Sequence, residues 1–434
     1  MSGARGLKAE PSAPGPGTLD GRTVAVVHPA WHSCGAYEVY VGQVEAYKRL
    51  GARVVTVACC DQPGYAPGSG RWRDYRRLTP ELERTPRFFA GVSFARFLRP
   101  SWFRRLALPY WHGDGAAMRA GFAEASDLSN DLAALAVDLV HCNHFFCMPV
   151  AHRVAGKAPI ALDTIDVQAR QFDLINDASR FVLPPRVTFE AMLEQELAAM
   201  RPAAALLHLN LDEKSFFEAR MPGAPHHLLY PAVRDMPGAP GGADVLIVAS
   251  DNAANVESLL WFLREVYPRA GEPPLIIAGN VDRGVRAKDA GLFERRRALF
   301  KGRVDDLGAL YARAKMVLLP TIDGTGLSIK AVEAMSSGLP LLATRLAFRG
   351  MALDPAGLSN VTLADDAAAF AAALRDAAAK PAEAKPAEVK PAEVKPAASA
   401  DPLRSDTRRA YETLFSEAAY ARNLAAIVAP LLKP

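Results

Sequence analysis

Two stretches of this chain each open on a short, uninterrupted apolar run: Thr23 to His28 (TVAVVH) and Asp244 to Ser250 (DVLIVAS). A strand that is apolar on both faces reads as one covered by helices on both sides of a parallel sheet. After the first run come the loop PAWHSCGA and a helical pattern with Tyr40, Val44, Tyr47 and Leu50 on one face, closed by Gly51. Further strands are predicted at Arg53 to Ala58, Val137 to His141, Ile160 to Asp163 and Ala204 to Asn210. After the second run, NVESLLWFLREVYP places Val256, Leu259, Leu260, Leu263 and Val266 on one helical face. Strand Leu275 to Ala278, helix Asp306 to Ala314, and strands Met316 to Pro320 and Leu339 to Thr344 follow. Strands separated by helical patterns imply right-handed βαβ units. The expected fold is α/β, with two Rossmann-like parallel-sheet domains facing a central cleft. A chain of 434 residues, half of them apolar, has the material for two cores.

The domain boundaries follow from composition. Residues 1–20 are Pro/Gly-rich without an apolar h-region and read as a disordered tail, not a signal peptide. The N-terminal domain is expected over 21–230 and the C-terminal one over 231–378, with Pro231 to Gly242 as the interdomain linker. Residues 379–405 contain KPAEAKPAEVKPAEVKP, whose proline at every fifth position breaks any regular helix and leaves a semi-stiff spacer. Residues 406–434 form a docking helix, spanning Arg408 to Leu432, with an apolar face that needs cover. A net charge of +4 gives no argument for nucleic acid, and no run of 18 apolar residues appears. Five cysteines, an odd number set mostly in apolar contexts, suit a reducing, cytoplasmic location.

The chemistry concentrates in Thr321 to Thr344, TIDGTGLSIKAVEAMSSGLPLLAT. Gly324 and Gly326 let backbone approach a bulky anion, and free N–H groups at a helix start attract phosphate. Lys330 adds positive charge near that end. Glu333 shares its helical face and can accept hydrogen bonds from sugar hydroxyls. An anion and a polyol held side by side suggest a nucleotide-sugar. Two other clusters are ambiguous on residues alone. In HCNHFFC, His141, Cys142, His144 and Cys147 could be metal ligands, but no second ligand pair follows and the segment continues an apolar strand. It reads as a strand end with buried thiols. Residues 71–105 interleave arginines with Trp72, Tyr75, Phe88, Phe89, Trp102 and Phe103. That pattern suits either an insertion folded over the N-terminal sheet with its arginines in solvent, or peripheral contact with an anionic membrane.

The segment GTGLSIKAVEAM with its following Gly-x-Pro strand entry resembles the donor site of the group 1 glycosyltransferases, retaining enzymes of GT-B architecture. DVLIVASDNAANVESLLWFLREVYP and GRVDDLGALYARAKMVLLPT are similar to that family's preceding segments. VVHPAWHSCGAYEVYVGQVEAYKRLGARVVTVA resembles the start of its acceptor domain, and VDLVHCNHFF a strand end presenting a polar residue to the reaction. The resemblance implies transfer of a hexose from a nucleotide-sugar to a glycan, lipid or small-molecule acceptor, with retention, as in polysaccharide biosynthesis. It implies donor contacts at Gly35, Gly324, Thr325, Gly326, Lys330, Glu333 and Arg345, with Arg349 as a further candidate. Lys330, Asn143 and His144 would act at the reacting centre. The chain departs from the family pattern in three places. Thr325 stands where many relatives have a first glutamate, ASDNAANV lacks their Arg/Lys pair, and Ile165 replaces a histidine. No Asp-x-Asp occurs, so neither cofactor nor metal is expected. The alternatives are a non-catalytic nucleotide-sugar-binding protein of polysaccharide assembly, or a nucleotide-sugar epimerase. No G-x-G-x-x-G follows either opening strand, which argues against a dinucleotide dehydrogenase.

Overall fold

The computed structural model describes residues 17–32, 34–60, 70–91, 99–112, 128–175, 187–379 and 404–432. The KPAE repeat and residues 1–16 lie outside the described residues. The chain divides into two compact units. Unit 1 is drawn from Met1–Leu209, Glu213–Pro231 and Tyr420–Pro434, and unit 2 from Asn210–Asp212 and Ala232–Ala419.

Unit 1 is built on a seven-stranded sheet of β1 (Thr23–Pro29), β2 (Arg53–Cys59), β3 (Arg87–Ala90), β4 (Leu139–Asn143), β5 (Ile160–Asp163), β6 (Ala205–His208) and β7 (His226–Leu228). The order is β3-β2-β1-β4-β5-β6-β7, and every pairing is parallel. β1 is buried along six of its seven residues, which is why it reads as a continuous apolar run. Helix α1 (Gly35–Arg49) turns Tyr40, Val44 and Tyr47 into the core and ends at Gly51, where φ is +91°. Helix α2 (Gly70–Leu78) precedes β3, and α3 (Phe189–Met200) precedes β6.

The arginine–aromatic stretch is partly absorbed into this unit. Its RFFA piece is the edge strand β3. Trp72 stacks on Phe89 at 4.3 Å and on Tyr75 at 5.5 Å, and Trp102 packs against the same cluster.

Unit 2 carries a six-stranded sheet of β8 (Asp244–Val248), β9 (Ile276–Ala278), β10 (Phe300–Gly302), β11 (Ala314–Leu319), β12 (Leu341–Ala343) and β13 (Val361–Leu363). The order is β10-β9-β8-β11-β12-β13, again parallel. Helix α4 (Ala253–Trp261) continues into a widened π-turn, Phe262–Val266, and buries Val256, Leu259, Leu260, Leu263 and Val266 as their spacing predicts. Helix α5 (Ile329–Ser337) links β11 to β12 and stops at Gly338, whose left-handed φ of +68° closes it.

The C-terminal segment departs from the single helix expected over Arg408 to Leu432. It forms α6 (Asp406–Leu414) and α7 (Glu417–Val428), broken at Phe415–Ser416. The Ser416 hydroxyl accepts from the Ala419 N–H at 3.1 Å and so starts a new helix. Among the described residues, no helix is long and apolar enough to cross a membrane.

Candidate active site

In unit 2 the chain runs outward from β8 through β9 to β10, then returns to lay β11 on the other side of β8. Open parallel sheets bind ligands at such a reversal, outside the carboxyl ends of the strands. A cavity of about 490 Å³ lies there, lined by Ser250 after β8, Asn280 after β9, and Thr325, Ser328, Lys330 and Glu333 from the β11–α5 segment, with Arg349 alongside.

Backbone geometry shapes this cavity first. Gly279, at φ +109°, lies so close to the end of β8 that a Cβ would sit 2.0 Å from the Ala249 carbonyl oxygen. Gly324, at φ +129°, leaves room for the Arg349 guanidinium, which a Cβ would meet at 2.6 Å. Ser328 is the N-cap of α5, yet its side chain makes no capping bond, and its hydroxyl is buried with no hydrogen-bond partner among the described residues. The first N–H groups of α5 and this hydroxyl are therefore available to a ligand anion.

Charge follows the same arrangement. Lys330 Nζ donates to Asn255 Oδ1. Asn255 is fixed for that role because its Nδ2 donates to the Ser250 carbonyl oxygen and hydroxyl, both at 3.0 Å. Burial, reinforced by the charge of Arg349, brings the Lys330 ammonium down to about 8. Arg349 is also pushed down by burial, while Asp323 and Asp212 pull it back up, and its Nε has no acceptor among the described residues. Both are half-buried cations facing one cavity, where burial disfavours the charged form of each. Burial raises the Glu333 carboxyl, with Arg234 acting in the opposite direction.

Thr325, Lys330 and Glu333 thus share one cavity, with Gly324 and Gly326 in the loop beside it. Arg345 does not line the cavity. Its guanidinium lies 3.7 Å from Asp354 and is largely exposed. Ser328 lies inside the motif but is not among the residues expected at the site, and Asn255 carries no signal in the sequence that marks it for this cavity. Asn255 sits in the stretch that lacks the Arg/Lys pair, and its role depends on a partner 75 residues away.

Unit 1 has its own reversal, between β1 and β4. Asn143, at the end of β4, is fully buried, and its amide pairs reciprocally with that of Gln43 at 2.8 Å in both directions. It also donates to the Val27 carbonyl at 3.2 Å. His144 holds a left-handed φ of +64°, with Nε2 3.0 Å from the Tyr40 hydroxyl and its ring stacked on Phe146 at 5.0 Å. Gly35 begins α1, and a Cβ placed on it would meet nothing within 4 Å, so no steric need for glycine arises there. His141, beside Cys142 on β4, lies 2.8 Å from the Tyr47 hydroxyl through Nδ1. Ile165, after β5, holds φ at +60°, a rare conformation for a β-branched residue, with its N–H on Asp163 Oδ1 at 3.0 Å. The backbone is thus strained at the ends of two neighbouring strands, β4 and β5.

The family model described as Glycosyl transferases group 1 matches residues 242–380, the span that holds the cavity. The chain carries a group 1 glycosyl transferase domain. No curated protein matches the sequence. Solved structures agree with the transferase domain in a whole-chain fold of GT-B type. HepE of Anabaena in complex with UDP superposes with a TM-score of 0.58 at 12% identity, over 94% of this chain and 100% of that one. Sucrose-phosphate synthase from Thermosynechococcus elongatus gives 0.57 at 16% identity, over 94% and 99%. The lipopolysaccharide outer core galactosyltransferase WaaB gives 0.55 at 13%, over the same shares. At these identities the likeness concerns the fold, while the domain match gives the class of enzyme, a glycosyltransferase.

Proposed function

We propose that this glycosyltransferase draws its sugar from a nucleoside-diphosphate donor held in the unit 2 cavity, transferring it with retention and without a metal ion. The observation that carries this reading is the meeting of Lys330, Arg349, the Ser328 hydroxyl and the α5 N-terminus on one cavity, with Glu333 one turn further along. A diphosphate in the cavity would bring an anion to both cations. Its departure develops negative charge as the glycosidic bond breaks, and preorganised donors at that point lower the barrier. Glu333, on the same helical face, is placed to accept from ribose hydroxyls. Lys330 and Arg349 supply the positive charge that a carboxylate-bound cation provides in metal-dependent transferases. The UDP bound in the HepE structure makes UDP the first ligand to test. Retention rests on the family resemblance, and the acceptor stays a glycan, lipid or small molecule.

Titration calorimetry with UDP, GDP and ADP, followed by transfer assays with the matching sugars, tests the proposal. Lys330→Ala and Arg349→Ala should each lower turnover by about 10²-fold, the scale of removing one transition-state charge donor. Turnover should persist in excess EDTA. Nucleotide binding without transfer to any acceptor would favour a non-catalytic nucleotide-sugar-binding protein, and loss of activity on chelation with rescue by Mg²⁺ would refute the metal-free step.

A further inference from the structure

The arginine–aromatic face of unit 1 is left unused by the donor chemistry. Among residues 70–91 and 99–112 stand nine arginines and three carboxylates, a surplus larger than the +4 of the whole chain. The carboxylates are already engaged in part: Asp74 pairs with Arg77 at 3.4 Å, and Glu81 accepts from the Tyr37 hydroxyl at 2.6 Å. Two separate segments present these arginines, and one cluster holds both. Trp72 from α2 and Trp102 from the short helical stretch after Arg99 pack on Ala30, Ala58, Cys60, Tyr75 and Phe89. Most of those residues lie at the carboxyl ends of β1, β2 and β3, so the face belongs to the ligand-binding end of the sheet.

The apolar part of this face is equally uneven. Leu78, Phe103 and Leu108 are 42%, 45% and 39% exposed, three of the seven large apolar side chains that stand out in water among the described residues. Along the two segments they are interleaved with Arg73, Arg76, Arg104 and Arg105, all exposed.

We propose that this face docks unit 1 onto an anionic lipid bilayer, with the arginines on lipid headgroups and Phe103, Leu108 and Leu78 entering the headgroup–acyl boundary. Arginines attract an anionic leaflet, and each loses that attraction within a Debye length. Aliphatic and aromatic side chains interleaved with them gain only where an apolar layer lies beneath the charge. A polynucleotide would use the same arginines and could stack on Phe103, but it offers nothing to Leu78 or Leu108. Docking at this end of the sheet brings the working end of unit 1 to the membrane surface, which fits an acceptor carried by a lipid. The inference does not depend on the donor assignment, because its readout needs neither nucleotide nor transfer.

The test is co-sedimentation of the full chain with vesicles of phosphatidylcholine, alone or mixed with phosphatidylglycerol. The parent protein should bind the mixed vesicles, ignore the neutral ones and dissociate as salt rises. Replacing Arg73, Arg76, Arg104 and Arg105 by Gln should weaken binding by roughly fivefold per residue, so by two orders of magnitude or more together. The same change at Arg283, Arg286, Arg295 and Arg297, exposed on unit 2, should leave it intact. Phe103→Ser with Leu108→Ser should keep low-salt binding but make it more salt-sensitive. The proposal fails if the parent ignores anionic vesicles, or if the unit 2 set weakens binding as much. It also fails if heparin is bound as tightly as the vesicles and the apolar substitutions change nothing, since the face would then be a general polyanion surface.

Discussion

Lys330 illustrates how one residue can be costly to the empty protein and useful to the loaded one. Burial and Arg349 depress its ammonium to about 8, from an ordinary value of 10.5. A lysine whose folded pKa lies below its unfolded one destabilises the fold at every pH below the folded value. That cost fades as pH rises from about 8 towards 10.5. At pH 7 it is on the order of 3 kcal/mol, partly offset by the bond to Asn255. Lys330→Met should therefore melt no lower than the parent at pH 7, while binding UDP at least about tenfold more weakly. A bound diphosphate reverses the shift, so the parent should take up a proton on binding above about pH 8 and lose affinity as pH climbs. Calorimetry in buffers of different ionisation enthalpy reads that proton directly. A Lys330→Met protein that keeps the same pH dependence would assign the proton elsewhere. Lys330, Glu333 and Thr325 were legible in the sequence because one loop and one helix turn carry all three. Arg349, named as a further candidate, lines the cavity as well, whereas Asn255 reaches it from a distant segment and Arg345 points to Asp354, which neighbouring residues in sequence could not foretell.

At the scale of elements, the central strands were legible and several edges were not. β1, β2, β4, β8 and β11 are buried almost throughout and so are rich in apolar residues, with few polar interruptions. β3, β7, β10 and β13 are three or four residues long, at the sheet margins, and are half-buried or exposed at several positions. A segment with that mixture has no period of two to read. The break between α6 and α7 was hidden for a related reason: the apolar pattern continues across it, and only the Ser416 cap interrupts the backbone. A buried acid shows how one helix fixes a neighbouring loop. Glu196 of α3 accepts the N–H groups of Gln168 and Ala169 at 3.1 and 3.0 Å, just past the strained Ile165. Burial pushes its carboxyl up to about 7, against those two hydrogen bonds. The folded protein then holds a proton that the unfolded chain releases from about pH 4.5, so stability falls as pH rises from there to about 7. The full swing is on the order of 3 kcal/mol. Glu196→Gln lacks the titration but can serve one N–H fewer. Its melting temperature should lie below the parent's at pH 5 and draw level with it, or pass it, at pH 8. Parallel melting curves across that range would reject the role.

For the whole molecule, the two-sheet α/β architecture follows from the alternating pattern, but the division of the C-terminal segment does not. One continuous apolar face concealed two destinations. Helix α6 belongs to unit 2, where Arg408 meets Asp235 through both terminal nitrogens at 2.5 and 2.9 Å and donates to the Ser336 carbonyl at 2.7 Å. The Tyr411 hydroxyl donates to the Val233 carbonyl at 2.8 Å. The Arg408 contact bears on the C-terminal end of α5, the helix whose other end carries Lys330. From Tyr420 onward the chain belongs to unit 1, with Tyr420, Leu424 and Val428 buried and the Leu432 carbonyl accepting from Arg22 at 3.2 Å. Burying those three side chains stabilises unit 1 by about 1.5–3 kcal/mol each before ordering costs. Two truncations separate the roles. Removing the residues after Ala419 should lower the stability of unit 1, with hydrogen-exchange protection lost in α1 and β4, while UDP binding persists in unit 2. Removing the residues after Arg404 should also strip α6 from α5, raise exchange through Ile329–Ser337 and weaken UDP binding. If the shorter deletion already abolished nucleotide binding, or the longer one left α5 protected, then α6 would not be what braces the donor helix.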